Sequence, residues 1–105
     1  MEDKLKVYNK KTPILEELKP ILWSKNINEL DPKTDKIYII HQALAYGSID
    51  DIKMLKKIYS DREIENIFKN FPKRIYTRPV FLFIKNFLLN IDDELDEKDY
   101  VKSFT

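Results

Sequence analysis

The sequence predicts an all-α fold: a compact single-domain bundle of about five short helices, built on a central helix-turn-helix-like hairpin. Three observations carry that expectation. The chain of 105 residues holds one glycine, where soluble domains average ~7% and tight β-hairpins draw on glycine at their turns. Capping signatures recur at Thr12-Pro13, Asp31-Pro32, Ser48 with Asp51, Ser60 with Glu63, and Thr77 with Pro79. Between them, apolar residues return at helical spacing. Hydrophobic residues make up 43%, enough for a core, and charged residues 35%. The charged share exceeds the ~25% of ordinary domains and reads as solvated helix faces.

Residues 1–11 carry four lysines and two acids and read as a flexible arm. The helical domain spans 12–89. Its first helix is expected over 13–22, with Glu16 and Glu17 in the first turn, where the helix dipole favours acids. Pro20 stops or kinks it. Trp23 ends an apolar set with Ile14, Leu15, Leu18, Ile21 and Leu22, and reads as a core anchor ahead of a binding platform. A polar connection then turns Ile27 and Leu30 inward.

Asp31-Pro32 opens a helix over 33–46. Ile37, Ile40, Ala43 and Leu44 share one face, and Ile39 and Tyr46 widen it. The IYII stretch has strand propensity, but the pattern continues without a turn signal to Gly47. That glycine is expected in the left-handed conformation that ends many helices. Ser48 starts the helix over 49–59, with Ile49, Ile52, Leu55, Ile58 and Tyr59 as its stripe and Lys53, Lys56 and Lys57 opposite. Ser60 starts the helix over 61–71, which sets Ile64, Ile67, Phe68 and Phe71 on one face. The last helix, 78–89, carries Val80, Phe81, Phe83, Ile84, Phe87 and Leu88 around most of its circumference and is expected at the centre of the packing. The predicted core is Leu22, Trp23, Ile37, Ile40, Leu44, Ile52, Leu55, Ile64, Ile67, Phe68, Phe81, Ile84 and Leu88. Residues 90–105 hold six acids against two lysines. They read as an acidic tail with too few apolar groups to hold much of the core.

Few kinds of chemistry fit these residues. Without cysteine there is no disulfide, thiol catalysis or cysteine-bound zinc. His41 is the only histidine, so histidine-based metal clusters and HExxH are absent. It reads as a surface or boundary imidazole rather than a general base. Asp50, Asp51, Asp61, Glu63 and Glu65 are explained by helix starts and solvated faces. One glycine leaves no phosphate-cradling loop. The chain is therefore expected not to be an enzyme, with no cofactor, no metal and no small-molecule substrate. A net charge of +1 gives no global field toward nucleic acid or membrane. The longest apolar run, Val80 to Ile84, falls far short of the ~20 residues a span needs. The start, MEDKLKVYNKK, has no signal-peptide core. A cytoplasmic protein is expected.

The candidate partner-binding residues are Lys69, Lys73, Arg74 and Arg78, with Tyr76 among them. Such a cluster can grip a phosphate backbone, dock an acidic partner, or be a solvated loop. The acidic tail can in turn fold over it and mask it. The helices 48–59 and 61–71 have the outline of a DNA-binding helix-turn-helix. However, Asp61, Glu63 and Glu65 would repel phosphates at the start of its second helix.

The order Leu22-Trp23, Leu30-Asp31, Ile39-Ile40, Leu44, Tyr46-Gly47, Asp51, Leu55, Tyr59 and an aromatic-rich last helix resembles a small uncharacterised prokaryotic all-helical family. The resemblance covers Leu22 to Leu89. Its motifs are packing residues and a glycine cap. Ser24 departs from the family pattern, where an acid often follows Leu-Trp, and Gln42 stands where arginine is common. Members are often encoded beside nucleotidyltransferase-type toxins of abortive-infection systems, so the resemblance implies an antitoxin-like role. The functional expectation is a protein-binding module of that kind. The alternative is a small DNA-binding regulator of helix-turn-helix type.

Overall fold

Four capped or glycine-bounded stretches fold as α-helices: α1 (Lys36–Tyr46), α2 (Ile49–Ile58), α3 (Asp61–Asn70) and α4 (Arg78–Phe83). The computed structural model describes residues 18–23 and 29–102. The helix expected over 13–22 lies mostly outside the described residues, which show a 3-10 turn at Lys19–Ile21. A π-helical segment, Ile84–Leu88, continues α4, and a second 3-10 turn covers Glu97–Asp99. The fold is all-α. Among the described residues, β-type pairing is confined to one isolated parallel bridge between Tyr76 and Val101. The chain divides into two compact units, residues 1–59 and 60–105.

In the first unit, Asp31 caps a turn rather than the helix itself. Its Oδ1 accepts from Lys33 N at 2.7 Å, and Asp35 reaches back to Asp31 N at 2.9 Å. Helix α1 therefore begins at Lys36. From Tyr38 to Leu44 every residue of α1 is buried. Ile37, expected in the core, is 37% exposed; it shares a face with Ile40 and Leu44 but lies in the first turn, where the cover ends. Trp23, expected as a core anchor, is 61% exposed and meets the edge of Tyr46, with ring centroids 4.8 Å apart. Gln42 is buried and donates from Nε2 to Ile21 O at 2.6 Å, which ties the 3-10 turn to α1.

Gly47 is not left-handed. Its φ of −82° and ψ of 159° are extended backbone, open to any residue. What the position excludes is volume. A Cβ there would stand 2.5 Å from Ala43 O and 2.9 Å from Asp51 Cβ. Among the described residues, the one with positive φ is Asn90, at 52°, a residue type that tolerates that region. Ser48 and Asp51 then form the expected capping box that starts α2. Ile52, Leu55 and Tyr59 are buried, while Ile49 is exposed. The Tyr59 hydroxyl donates to Pro32 O at 2.6 Å, closing the hairpin on the turn that precedes it.

The second unit begins with the capping box of Ser60 and Glu63. Helix α3 buries Ile64, Ile67 and Phe68. Phe71 leaves that stripe because its backbone, at φ −132° and ψ 63°, has left the helical path, and it is exposed. The core here is aromatic. Phe68 packs against Tyr76, Phe81 and Tyr100, with centroids 5.6, 6.1 and 4.8 Å away. Thr77 caps α4 through Val80 N. Helix α4 and the π-helical segment bury Phe81 and Ile84, leave Val80 and Leu88 half-buried, and expose Phe83 and Phe87. The expectation of burial around most of that circumference is thus met on one face only.

The stretch after Leu89 is not peripheral. Ile91 is 5% exposed and Tyr100 1%. Tyr100 donates its hydroxyl to Phe68 O at 2.6 Å, and the bridge is closed by Tyr76 N to Tyr100 O at 2.9 Å and Lys102 N to Tyr76 O at 3.1 Å. The expectation that this stretch holds little of the core is overturned. Acidic composition concealed two well-spaced anchors, one at each end.

Candidate functional site

The five candidate residues divide into one core residue and four surface cations. Tyr76 is 0% exposed. It packs edge-on against Phe68 inside the aromatic core and offers a partner nothing to touch. Its neighbours in sequence, Lys73, Arg74, Thr77 and Arg78, are exposed, because Tyr76 alone turns inward from the loop that joins α3 to α4.

The cations do not stand free. Lys69 Nζ pairs with Asp93 at 2.5 Å and, more loosely, with Glu65 at 4.0 Å one turn back on α3. The hydrogen bond to Asp93 raises the Lys69 ammonium above its usual range, and the same bond lowers the Asp93 carboxyl. Arg78 Nε pairs with Glu97 Oε2 at 2.7 Å. Arg74 Nε donates to the Lys98 carbonyl at 2.9 Å. Apart from Glu65, these partners come from 92–99, the run DDELDEKD. That run is a strap, fixed by Ile91 at one end and Tyr100 at the other. The paired side chains are all partly exposed to water, so each ion pair is worth little to stability. Their effect is on the surface field, which they reduce where the sequence promised a basic patch.

The strap also adds positive charge. Arg74, Arg78, Lys98 and Lys102 line an open groove of about 720 Å³ together with Asp96, Glu97 and Val101. Asp96 Oδ1 accepts from Lys98 N at 3.0 Å, so this acid is used to hold its own turn. Lys98 and Lys102 were missed because an acidic stretch was read by its net sign. The signal that could have found them is Tyr100 between two lysines, each two residues away, as Tyr76 lies between Arg74 and Arg78.

His41, expected at the surface or boundary, is 0% exposed on α1. Among the described residues no buried side-chain nitrogen or oxygen lacks a hydrogen-bond partner. His41 is thus built into the first unit's core, the more so because both its chain neighbours are buried too. Tyr100 lies buried in the second unit's aromatic core. Burial, and secondarily the charge of Asp99, push its phenol up to about 12. Among the described residues no group of three or more His, Asp or Glu side chains is placed to hold a metal ion. Among the same residues no helix is long and apolar enough to cross a membrane.

Residues 17–68, about half the chain, match the sequence profile of a family described as a family of unknown function (DUF6922). The chain is similar to that family from the first described turn to the last turn of α3. The match stops one residue before Lys69, so the whole cationic cluster and the strap lie beyond it. No curated protein and no solved structure matches the chain.

Proposed function

We propose that this chain is a non-enzymatic, cytoplasmic protein-binding module, and that its partner is a nucleotidyltransferase-type toxin, which makes its role antitoxin-like. The toxin reading draws on the family resemblance of the sequence. The binding-module reading draws on one observation above the rest: the exposed aromatic pair at the end of the chain's last helix. Phe87 is 77% exposed and Phe83 40%, with rings stacked at a centroid distance of 6.2 Å. Single exposed apolar residues are ordinary. Two stacked phenylalanines on one helical turn are a preformed anchor, and aromatic anchors carry much of the energy of protein interfaces. Phe87 also stands in a π-helical segment, a distortion found often at functional positions. Trp23 against Tyr46 gives the first unit a comparable exposed pair.

The cations Lys69, Lys73, Arg74 and Arg78 act in this reading on encounter rate and specificity rather than on affinity. The helix-turn-helix alternative loses support from Asp61 and Glu63 in the first turn of its second helix, where phosphates would be repelled, and from the pairing of Lys69 on that helix with Asp93. The test is co-expression with the product of a toxin-like neighbouring gene. Phe87→Ser is expected to abolish co-purification at unchanged helicity. Undiminished co-purification would remove the aromatic pair from the interface. Retention on duplex DNA that falls steeply with salt, with no protein partner found, would favour the alternative.

A further inference from the structure

We propose that the groove lined by Arg74, Arg78, Lys98 and Lys102 binds a compact phosphate-bearing anion, a phosphate monoester or a pyrophosphate group. The proposal stands on the groove itself and does not depend on the protein-binding reading above. Three observations lead to it.

The first is construction. The two walls are separate stretches, 74–78 and 96–102, joined by the Tyr76–Val101 bridge and its flanking hydrogen bonds. Tyr76 and Tyr100, the residues that lock this pairing, are both in the core. The cations are therefore mounted on a fixed base rather than on a loose loop. A site held by a rigid frame loses less entropy when a ligand arrives.

The second is the state of the charges. Four cations face two acids in the groove. Arg78 and Glu97 neutralise one another, so the groove's excess of positive charge comes from Arg74, Lys98 and Lys102 set against Asp96, whose Oδ1 accepts from Lys98 N. Arg74 is held through Nε by the Lys98 carbonyl at 2.9 Å, which orients the guanidinium while its Nη groups make no hydrogen bond to the described residues. A guanidinium fixed at one edge with its nitrogens available at the other is a bidentate donor for an oxyanion. Lys98 brings a second positive charge to the same groove.

The third is size. A volume of about 720 Å³ falls within the range of small-ligand sites, roughly 300–1,000 Å³. A carboxylate brings one charge and two acceptor oxygens. A phosphate monoester brings about −1.5 to −2 and three. Several cations lining a groove this size match the second better. An extended polyanion is disfavoured, because Asp96 and Glu97 lie in the groove and would meet it along its length.

The experiment is an amide-resolved NMR titration of the full chain with inorganic pyrophosphate at constant ionic strength. Saturable shifts are expected at residues 74–78 and 96–102. Arg74→Gln and Lys98→Gln should each weaken binding tenfold or more. Lys57→Gln on α2 should leave it unchanged. Lys98→Gln keeps the backbone carbonyl that holds Arg74, so its loss reports charge and not local unfolding. Parallel titrations with a nucleoside triphosphate and with a phosphoserine peptide separate the two sources of such a group; saturable binding of either supports the proposal. Three outcomes overturn it: no saturable shift with any phosphate probe, equal affinity of the unphosphorylated peptide, or affinity unchanged in both variants. Binding of duplex DNA alone, with pyrophosphate silent, also overturns it in favour of a polyanion surface.

Discussion

The two units are stabilised by different kinds of residue, and they were readable from the sequence to different degrees. Residues 1–59 are built on a hairpin whose buried side chains are mainly aliphatic and close in sequence: Ile39, Ile40 and Leu44 on α1, Ile52 and Leu55 on α2. Residues 60–105 are built on an aromatic core gathered from afar. Phe68, Tyr76, Phe81 and Tyr100 span more than thirty positions, the Tyr100 to Phe68 hydrogen bond alone linking residues 32 apart. A helical stripe is local and announces itself by period. A cluster drawn from a helix, a loop, a second helix and a terminal stretch has no period.

The largest expected effect separates the cores. Phe68→Ala and Leu55→Ala should each cost about 3–5 and 2–5 kcal/mol respectively, read by urea denaturation. Both side chains are 0% exposed. Local hydrogen exchange should divide them, Phe68→Ala releasing the amides of α3 and Leu55→Ala those of α2. Equal release everywhere would mean that the chain opens as one cooperative unit, and the contrast would fail.

Gly47→Ala should come next, at about 1–3 kcal/mol, as an overpacking cost. The Cβ meets a backbone oxygen that cannot swing aside. Alanine's smaller conformational entropy in the unfolded chain would act the other way, so a more stable variant would show that the α1–α2 connection relaxes freely.

Tyr100→Phe is smaller, about 1–2 kcal/mol, since it removes one buried donor and leaves Phe68 O to find another. It also carries a pH signature. The folded phenol titrates near 12, above its ordinary value of 10.0. Stability linked to a raised value is complete below the unfolded pKa and is lost as pH climbs through the folded one. The wild type should therefore lose stability between about pH 10 and 12, and Tyr100→Phe should lose less over that window. Identical alkaline profiles would detach Tyr100 from the core.

The smallest effect belongs to the strap's ion pairs. Asp93→Asn should leave the melting temperature nearly unchanged, because the Asp93–Lys69 pair is exposed to water. In the wild type the lowered Asp93 carboxyl holds its pair above the usual carboxylate range and releases it as pH falls below. A large destabilisation by Asp93→Asn would make the strap's charges structural.

The helix starts were legible to the residue at Ser48 and Ser60, because a capping box is a local bargain between neighbours in sequence. The stripe of α3 was legible up to Phe68 and failed at Phe71, where the backbone leaves the helix. Trp23 and Phe87 were misjudged for one reason: large apolar area predicts a tendency to be covered, not the presence of a cover. His41 and Gln42 were missed from the other side, since a polar residue in a helix gives no sign of being surrounded. The cationic cluster was found at Arg74 and Arg78, but not the half of the groove that Lys98 and Lys102 supply. Sequence separation hid that half, as it hid Tyr100 as a core residue.

The contrast between the units comes down to whether the acidic stretch is part of the second core. Truncation after Asn90 removes both anchors, Ile91 and Tyr100, and tests this most directly by hydrogen exchange. The expected result is loss of protection at the amides of Ile64, Ile67 and Phe68, with protection retained at Ile40, Leu44 and Leu55. Full protection of α3 in the truncated chain would contradict it and return residues 91–105 to the status of a tail.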